Sequence, residues 1–244
     1  MKKTISIIIP VYNEEKELES TLQKVNSVVN KLFDDYELLI FDDCSTDKSG
    51  EILDNIARLN PTKIRIFHNK KNMNAGYNYR NGIKSATKEY VMLLPAPDML
   101  QMESLEDFLK HIGERGIIFA YIANRTHRPL YRRAISFNVT NTLNLLFGLH
   151  LKYFFGLQAY KSDIIKRINT STNSFALLPE LLIRTIKERN DYLEMPYYVR
   201  PLKLNKTTAF RLRNILGVIK TILKLFVELR LGILLGSKKE HSDK

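Results

Sequence analysis

The sequence predicts an α/β protein built on one doubly wound, mostly parallel sheet. Three observations point there. Compact apolar runs at residues 5–9, 36–41, 63–67 and 90–94 alternate with stretches whose apolar residues recur at helical spacing. The runs end at Pro, Asp-Asp, His-Asn and Pro, as buried strands of a parallel sheet do. With 244 residues, 44% of them hydrophobic, and no internal repeat, the chain is long enough for a substantial core.

Taken in order, the first run is a strand and residues 15–32 a helix, with Leu18, Leu22, Val25, Val28, Val29 and Leu32 on one face. Helices over 49–59 and 77–86 separate the next strands, giving β-α-β-α-β-α-β with right-handed crossovers. In such a sheet a ligand sits beyond the carboxyl ends of the strands, so Asn13, Asp42, Asp43, His68, Pro95 and Asp98 are expected on one rim. Further on, the pattern predicts a helix over 103–112, a strand over 116–123, a basic loop over 125–133 and a long apolar helix over 134–147. A strand near 153–160, helices near 163–168 and 179–189 and a strand near 192–200 follow. Residues 214–236 form an amphipathic helix with Lys220, Lys224 and Glu228 in one stripe, and 237–244 a charged tail. The length suits a membrane span, but four charges oppose one, and a helix lying in the membrane interface or packed on protein fits better.

A net charge of +12 implies anionic partners. Nucleic acid is set aside, because no zinc-finger, RNA-binding or basic-zipper pattern accompanies the charge. Cys44 is the single cysteine, which excludes an intramolecular disulfide and a cysteine metal cluster and fits a cytoplasmic setting. The N-terminal apolar run is shorter than a signal-peptide core, so it is expected to be the first strand. His68, His111, His127 and His150 show no ligand spacing, and Cys44 is expected to be a small packed residue.

Two segments carry the chemistry: Pro10-Val-Tyr-Asn-Glu-Glu15 and Asp42-Asp-Cys-Ser-Thr-Asp47. A turn at Pro10 and a helix starting near Asn13 and Glu14 would expose backbone N–H groups to a base, ribose or phosphate. Asp42 and Asp43 can accept hydrogen bonds from base N–H or ribose hydroxyls, and Gly76 permits close backbone approach to a nucleotide. Singly, Asn13 and Asp47 read equally as helix caps and Asp-Asp as a solvated turn. Together and in order at strand ends, they favour a site.

This pairing resembles the inverting glycosyltransferases of family 2, which have the GT-A fold. Asn74-Ala-Gly76 with Arg80 and Gly82 is similar to the family's Asn-x-Gly segment, and Glu194-Met-Pro196 to its Glu-Val-Pro strand. The resemblance covers about residues 4–213, and its later part is most similar to the polyprenyl-phosphate glycosyltransferases, including dolichol-phosphate mannose synthase. It implies one GT-A domain over 1–213, with a nucleotide-sugar donor half at 1–100 and an acceptor half at 101–213. Donor-binding positions would be Pro10, Tyr12, Asn13, Glu14, Asp42, Asp43, Gly76, Arg200 and Lys206. Arg125, and Arg132 with Ser136 four residues on, are similar to the positions that bind the acceptor phosphate. Arg200, Lys203 and Lys206 fall where the family has Arg-x-x-Gly-x-Ser-Lys, with Lys203 for Gly and Asn205 for Ser.

The fourth strand departs from the family. Members usually carry Asp-x-Asp there to hold Mg²⁺ or Mn²⁺, whereas this chain reads Leu94-Pro-Ala-Pro-Asp98. A weak metal site at Asp98 is expected, because Mg²⁺ often takes one or two protein carboxylates, although a single Asp here reads also as a helix cap. Asp98, Arg125, Arg132 and Ser136 are the expected catalytic set. A phosphate acceptor is already ionised and needs no strong base; a hydroxyl acceptor needs one, with Glu180, Asp98 and Asp163 as candidates. The expected partners are thus a nucleotide diphosphate sugar, a polyprenyl phosphate or other lipid-linked acceptor and an anionic membrane surface, at the cytoplasmic face. Transfer to a polysaccharide or glycolipid hydroxyl, a nucleotide-sugar-binding module that has lost catalysis, and a homo-oligomer stay open.

Overall fold

A computed structural model describes residues 3–95, 99–170, 172–188, 191–201 and 217–229. Its strands are β1 (Ile5–Val11), β2 (Tyr36–Asp42), β3 (Ile64–His68), β4 (Tyr90–Leu93), β5 (Ile117–Ile122), β6 (Gln158–Lys161) and β7 (Tyr192–Tyr197). The helices are α1 (Leu18–Leu32), α2 (Ser49–Leu59), α3 (Ala75–Ser85), α4 (Met102–Lys110), α5 (Leu130–Phe147), α6 (Ser162–Ile165), α7 (Leu177–Glu188) and α8 over 217–229.

The strands form a single sheet in the order β3-β2-β1-β4-β6-β5-β7. β1 pairs in parallel with both β2 and β4, so the winding reverses beside it, and the crevice there is where an open α/β sheet takes its ligand. Only β6 runs against the rest, antiparallel to β4 and β5. β1 and β2 are buried almost throughout because both faces are covered, which is why their sequences read as unbroken apolar runs. One face packs Leu18, Leu22, Val25 and Val29 of α1 with Leu105 and Phe108 of α4. The other packs Tyr79 and Ile83 of α3, Leu143 of α5 and Leu178, Leu181 and Leu182 of α7.

Several boundaries differ from the sequence reading. α1 begins at Leu18, after a turn in which Glu17 N donates to Glu14 O, and not at residue 15. The basic loop expected over 125–133 is a 3-10 turn, Arg125–His127, followed by the start of α5 at Leu130; Pro129 precedes that helix, and Arg132 N and Arg133 N donate to its carbonyl. The strand expected near 153–160 is confined to β6. Gly156 lies so close to β5 that a Cβ there would stand 1.9 Å from Ala120 O, and the chain before β6 bends to make that approach.

The helix expected over 214–236 is described over 217–229, where it packs on the domain. Leu225 is buried, the Phe226 ring meets Phe147 edge-on at 6.3 Å, and Thr221 Oγ1 donates to Thr172 Oγ1 at 3.1 Å. Arg184 joins Glu180 of its own helix to Glu228 of α8. Among the described residues no helix is long and apolar enough to cross a membrane.

Candidate active site

At the carboxyl rim the loop after β1 is laced to the acidic turn after β2. Asn13 N donates to Ser45 Oγ (3.0 Å), Glu14 N to Ser49 Oγ (2.9 Å) and Glu15 N to Asp47 Oδ2 (3.2 Å). In return Thr46 N donates to Asn13 Oδ1 (2.8 Å) and Lys48 N to Glu15 Oε2 (3.1 Å). This corrects one expectation: the amides of residues 13–15 face the acidic turn, not an open anion site, and Asn13 is no helix cap. Pro10 pairs within β1 opposite Phe41, while Tyr12 is 40% exposed at the mouth of the loop.

Asp42 and Asp43 are both buried, and each organises a different neighbour. Asp42 Oδ1 accepts Ser45 N (3.0 Å) and Oδ2 meets His68 Nδ1 (2.9 Å). Asp43 Oδ1 accepts Asn69 Nδ2 (2.8 Å) and Met73 N (2.7 Å), and Oδ2 accepts Asn74 N (2.9 Å). Asn69 also donates to Asn78 Oδ1 (2.7 Å), whose own buried Nδ2 has no hydrogen-bond partner among the described residues. The Asp-Asp pair is therefore not a solvated turn. The close approach at Gly76 is between protein segments: a Cβ there would stand 2.2 Å from Ser174 O. Arg80 ties the same segment through Thr170 O (3.3 Å) and the Asn173 side chain.

Asn13, Cys44 and Asn74 carry positive φ, the non-glycine residues that do so among those described, and all three lie in this rim. Such conformations cost energy, persist where surrounding contacts impose them and concentrate at functional sites.

At the β5 end of the rim a cavity of about 150 Å³ is lined by Arg125, Ser136, Phe137, Thr140, Asn141, Leu151 and Lys152. Its lining contains two cations, hydroxyls and an amide, and no carboxylate. Arg125 Nη2 donates to Lys152 O (3.2 Å), and Asn144 clamps the loop to α5 through Leu151 O (2.8 Å) and Leu151 N (3.0 Å). Lys152 N donates to Glu194 Oε1 (2.7 Å), and Lys152 Nζ stands 4.3 Å over the Tyr121 ring. Burial raises the Glu194 pKa, and the amides of Lys152 and Tyr153 with the nearby Lys152 and Arg125 charges offset only part of that.

Of the expected acceptor residues, Arg125 and Ser136 meet in this cavity and Arg132 does not line it. Arg132 is buried with its Nε donating to Tyr131 Oη (3.2 Å). Lys152 was missed by sequence reasoning, which had no motif for a lone lysine in an apolar run; the usable signal is that residues 115–162 contain no Asp or Glu. Arg200 N donates to Met99 O (2.8 Å), and Leu100 bridges Val199, so Arg200 is joined to the segment that follows Asp98. Asp98, Lys203, Asn205 and Lys206 lie outside the described residues.

Two candidate bases are placed away from the cavity. Glu180 is buried in α7, bonded to Arg184 (3.1 Å). Asp163 follows the antiparallel β6 and so stands at the opposite rim, where Ser162 N donates to Glu89 O (2.7 Å). Among the described residues no group of three or more His, Cys, Asp or Glu side chains could hold a metal. Asp42 and Asp43 are engaged by protein donors.

The sequence profile described as Glycosyl transferase family 2 matches residues 6–210. The glycosyltransferase GlyG of Streptococcus pneumoniae serotype 4 is 27% identical over 115 residues, covering 47% of this chain and 37% of that protein. The chain likewise spans less than half of three further curated glycosyltransferases from Rickettsia felis, Rickettsia bellii and Bacillus subtilis. The undecaprenyl-phosphate 4-deoxy-4-formamido-L-arabinose transferase of Photorhabdus laumondii is 26% identical over 243 residues, covering 96% of this chain and 72% of the relative. In fold, the chain is similar to glucosyl-3-phosphoglycerate synthase of Mycobacterium tuberculosis in complex with uridine diphosphate, with a TM-score of 0.68, 16% identity and coverage of 92% of this chain and 80% of the other. With its β1 and β2 loops, its switch point beside β1 and a profile match over residues 6–210, the chain belongs to glycosyl transferase family 2 and has the GT-A type of α/β fold.

Proposed function

We propose that the chain transfers one sugar, with inversion at the anomeric carbon, from a nucleotide diphosphate sugar to a polyprenyl phosphate at the cytoplasmic face of a membrane. The cavity holding Arg125 and Lys152 carries this reading. Two cations with the Ser136 and Thr140 hydroxyls suit a phosphate headgroup, and no carboxylate is among the lining residues. The match to relatives named undecaprenyl-phosphate 4-deoxy-4-formamido-L-arabinose transferases over 96% of the chain supports the same acceptor class.

In the reaction a phosphate oxygen attacks the anomeric carbon as the bond to the leaving diphosphate breaks. The nucleophile is already ionised, so no residue need take a proton, consistent with the placement of Glu180 and Asp163. Arg125 and Lys152 hold the acceptor anion in line. The loops after β1 and β2 hold the nucleotide, with Tyr12 and Glu14 at the mouth and Asp42 and Asp43 fixing the loop shapes. Asp98 is the proposed holder of Mg²⁺ or Mn²⁺, which when bound would offset charge on the diphosphate.

Membrane contact is supported by where apolar surface remains exposed. Leu130, Tyr131, Ile135, Phe137 and Leu145 of α5 and Ile219, Leu223 and Val227 of α8 are exposed, and the two helices touch through Phe147 and Phe226. This surface adjoins the carboxylate-free stretch 115–162, as contact with an anionic bilayer requires. Incubating the protein with labelled nucleotide sugars, Mg²⁺ and a short polyprenyl phosphate tests the reading: label should pass into the organic extract. Donor binding with no lipid-extractable product from any common donor would instead favour a hydroxyl acceptor or a nucleotide-sugar-binding module without transfer.

A further inference from the structure

The ring of His68, at the end of β3, lies between two carboxylates. Nδ1 is 2.9 Å from Asp42 Oδ2 of β2, and Nε2 is 3.0 Å from Asp54 Oδ1 of α2. A carboxylate only accepts, and a neutral imidazole has one N–H, so both contacts are hydrogen bonds only if both ring nitrogens carry protons. The geometry is that of an imidazolium. The three groups are packed tightly, since a Cβ on Gly50 of α2 would stand 3.3 Å from Asp42 Oδ2 and 3.7 Å from the His68 ring.

We propose that His68 is a positioning residue of the donor site: as an imidazolium held by Asp54, it fixes the Asp42 carboxylate and through it the turn over 43–47 that clamps the loop after β1. Each link is a contact. Asp54 is on the solvent side and its side chain is 61% exposed, whereas that of Asp42 is 8% exposed. Asp42 Oδ1 holds Ser45 N, and Ser45 Oγ holds Asn13 N. Among the described residues the charged groups that meet the ring are Asp42 and Asp54. Partial burial works against the charged ring, but the hydrogen bonds and charges of the two carboxylates outweigh it and raise the His68 pKa above its ordinary value.

The sign of the pH effect follows. A group whose folded pKa is raised contributes while protonated, and the contribution is lost as pH rises through the folded pKa. When one proton leaves, the remaining N–H is retained by Asp42, whose burial makes an unpaired charge costly, and the exposed Asp54 returns to water. The ring then loses its outer anchor. Donor affinity should fall on the alkaline side, above the titration of the terminal phosphate of a nucleoside diphosphate.

The test compares wild type, Asp54→Asn and His68→Gln. Imidazole nitrogen shifts from NMR should show His68 titrating above an ordinary histidine in wild type, with the midpoint moved down in Asp54→Asn. Calorimetry with uridine diphosphate and guanosine diphosphate between about pH 7 and 9 should show affinity falling roughly tenfold in wild type, falling from a lower pH in Asp54→Asn, and staying weak and flat in His68→Gln. Amide hydrogen exchange at Ser45 and Asn13, compared at one pH, should be about tenfold faster in His68→Gln and needs no ligand. A His68 titration midpoint at or below that of an ordinary histidine, or unchanged exchange in His68→Gln, overturns the proposal. If neither diphosphate binds any of the three proteins, the donor reading fails separately from the NMR and exchange results.

Discussion

Asp43 gives the most quantitative test of how the donor rim is built. It is 4% exposed and accepts three hydrogen bonds, from Asn69 Nδ2, Met73 N and Asn74 N. Asp43→Ala removes both acceptor oxygens and with them all three bonds. Asn69 keeps its bond to Asn78, so the loss falls on the two backbone amides. An orphaned donor costs about 1–3 kcal/mol, or about 2–6 for the pair. Residue 74 is exposed, so water recovers part of its share, and the expected destabilisation is about 2–3 kcal/mol. With a urea slope near 3 kcal/mol per molar, the midpoint should drop by about 0.7–1 M. The same change frees Asn74 from the backbone conformation with φ of 70° that leads into α3, so nucleoside diphosphate affinity should fall at least about tenfold. Asp43→Asn, which keeps one acceptor oxygen, should show roughly half the stability loss. A midpoint shift below about 0.2 M with unchanged donor affinity would refute the view that this carboxylate shapes the loop over 69–74.

Other consequences are as direct. Gly76→Ala forces its Cβ against the Ser174 carbonyl, and overpacking against backbone at about 3 kcal/mol should lower the melting temperature by roughly 6–12 °C in a scanning calorimeter. Glu37 is buried, which opposes its charge, but hydrogen bonds from Ser6, Thr87 and Arg65 hold its pKa below the ordinary glutamate range. Its contribution is therefore present above the unfolded pKa and lost as pH falls through the folded one. The stability gap between wild type and Glu37→Gln, measured by urea titration, should narrow as pH drops below about 4. Replacing Ile219 and Leu223 together by Asp should cut sedimentation with anionic phospholipid vesicles several-fold while leaving the fold intact, because both side chains are about half exposed.

The first half of the fold was legible because a strand covered on both faces reads as an almost continuous apolar run, as β1, β2 and β4 do; β3, at the edge, is only partly buried and is broken by Arg65. Their rim followed from topology, which placed Asn13, Asp42, Asp43 and His68 together without any side-chain detail. The details were not legible because they are nonlocal. Helical spacing from residue 15 onward gives no sign that the amides of 13–15 are taken by Ser45, Ser49 and Asp47 thirty residues away. Gly76 looked like a glycine kept for a ligand, but the atom that excludes a Cβ belongs to Ser174, nearly one hundred residues later. The reversed direction of β6 moved Asp163 to the wrong rim, and no local pattern records strand direction. Arg132 and Ser136 share a helix face by spacing, yet the neighbouring Tyr131 hydroxyl accepts from the arginine and Lys152, from another loop, lines the cavity instead.

Arg125 and Lys152 are proposed to recognise the phosphate of a lipid acceptor. Steady-state transfer by Lys152→Gln measures it most directly, with donor and polyprenyl phosphate varied in turn. Loss of one charge-assisted contact predicts an acceptor KM raised roughly tenfold or more with the donor KM within about twofold of wild type. An unchanged acceptor KM, or equal increases in both, would contradict the account.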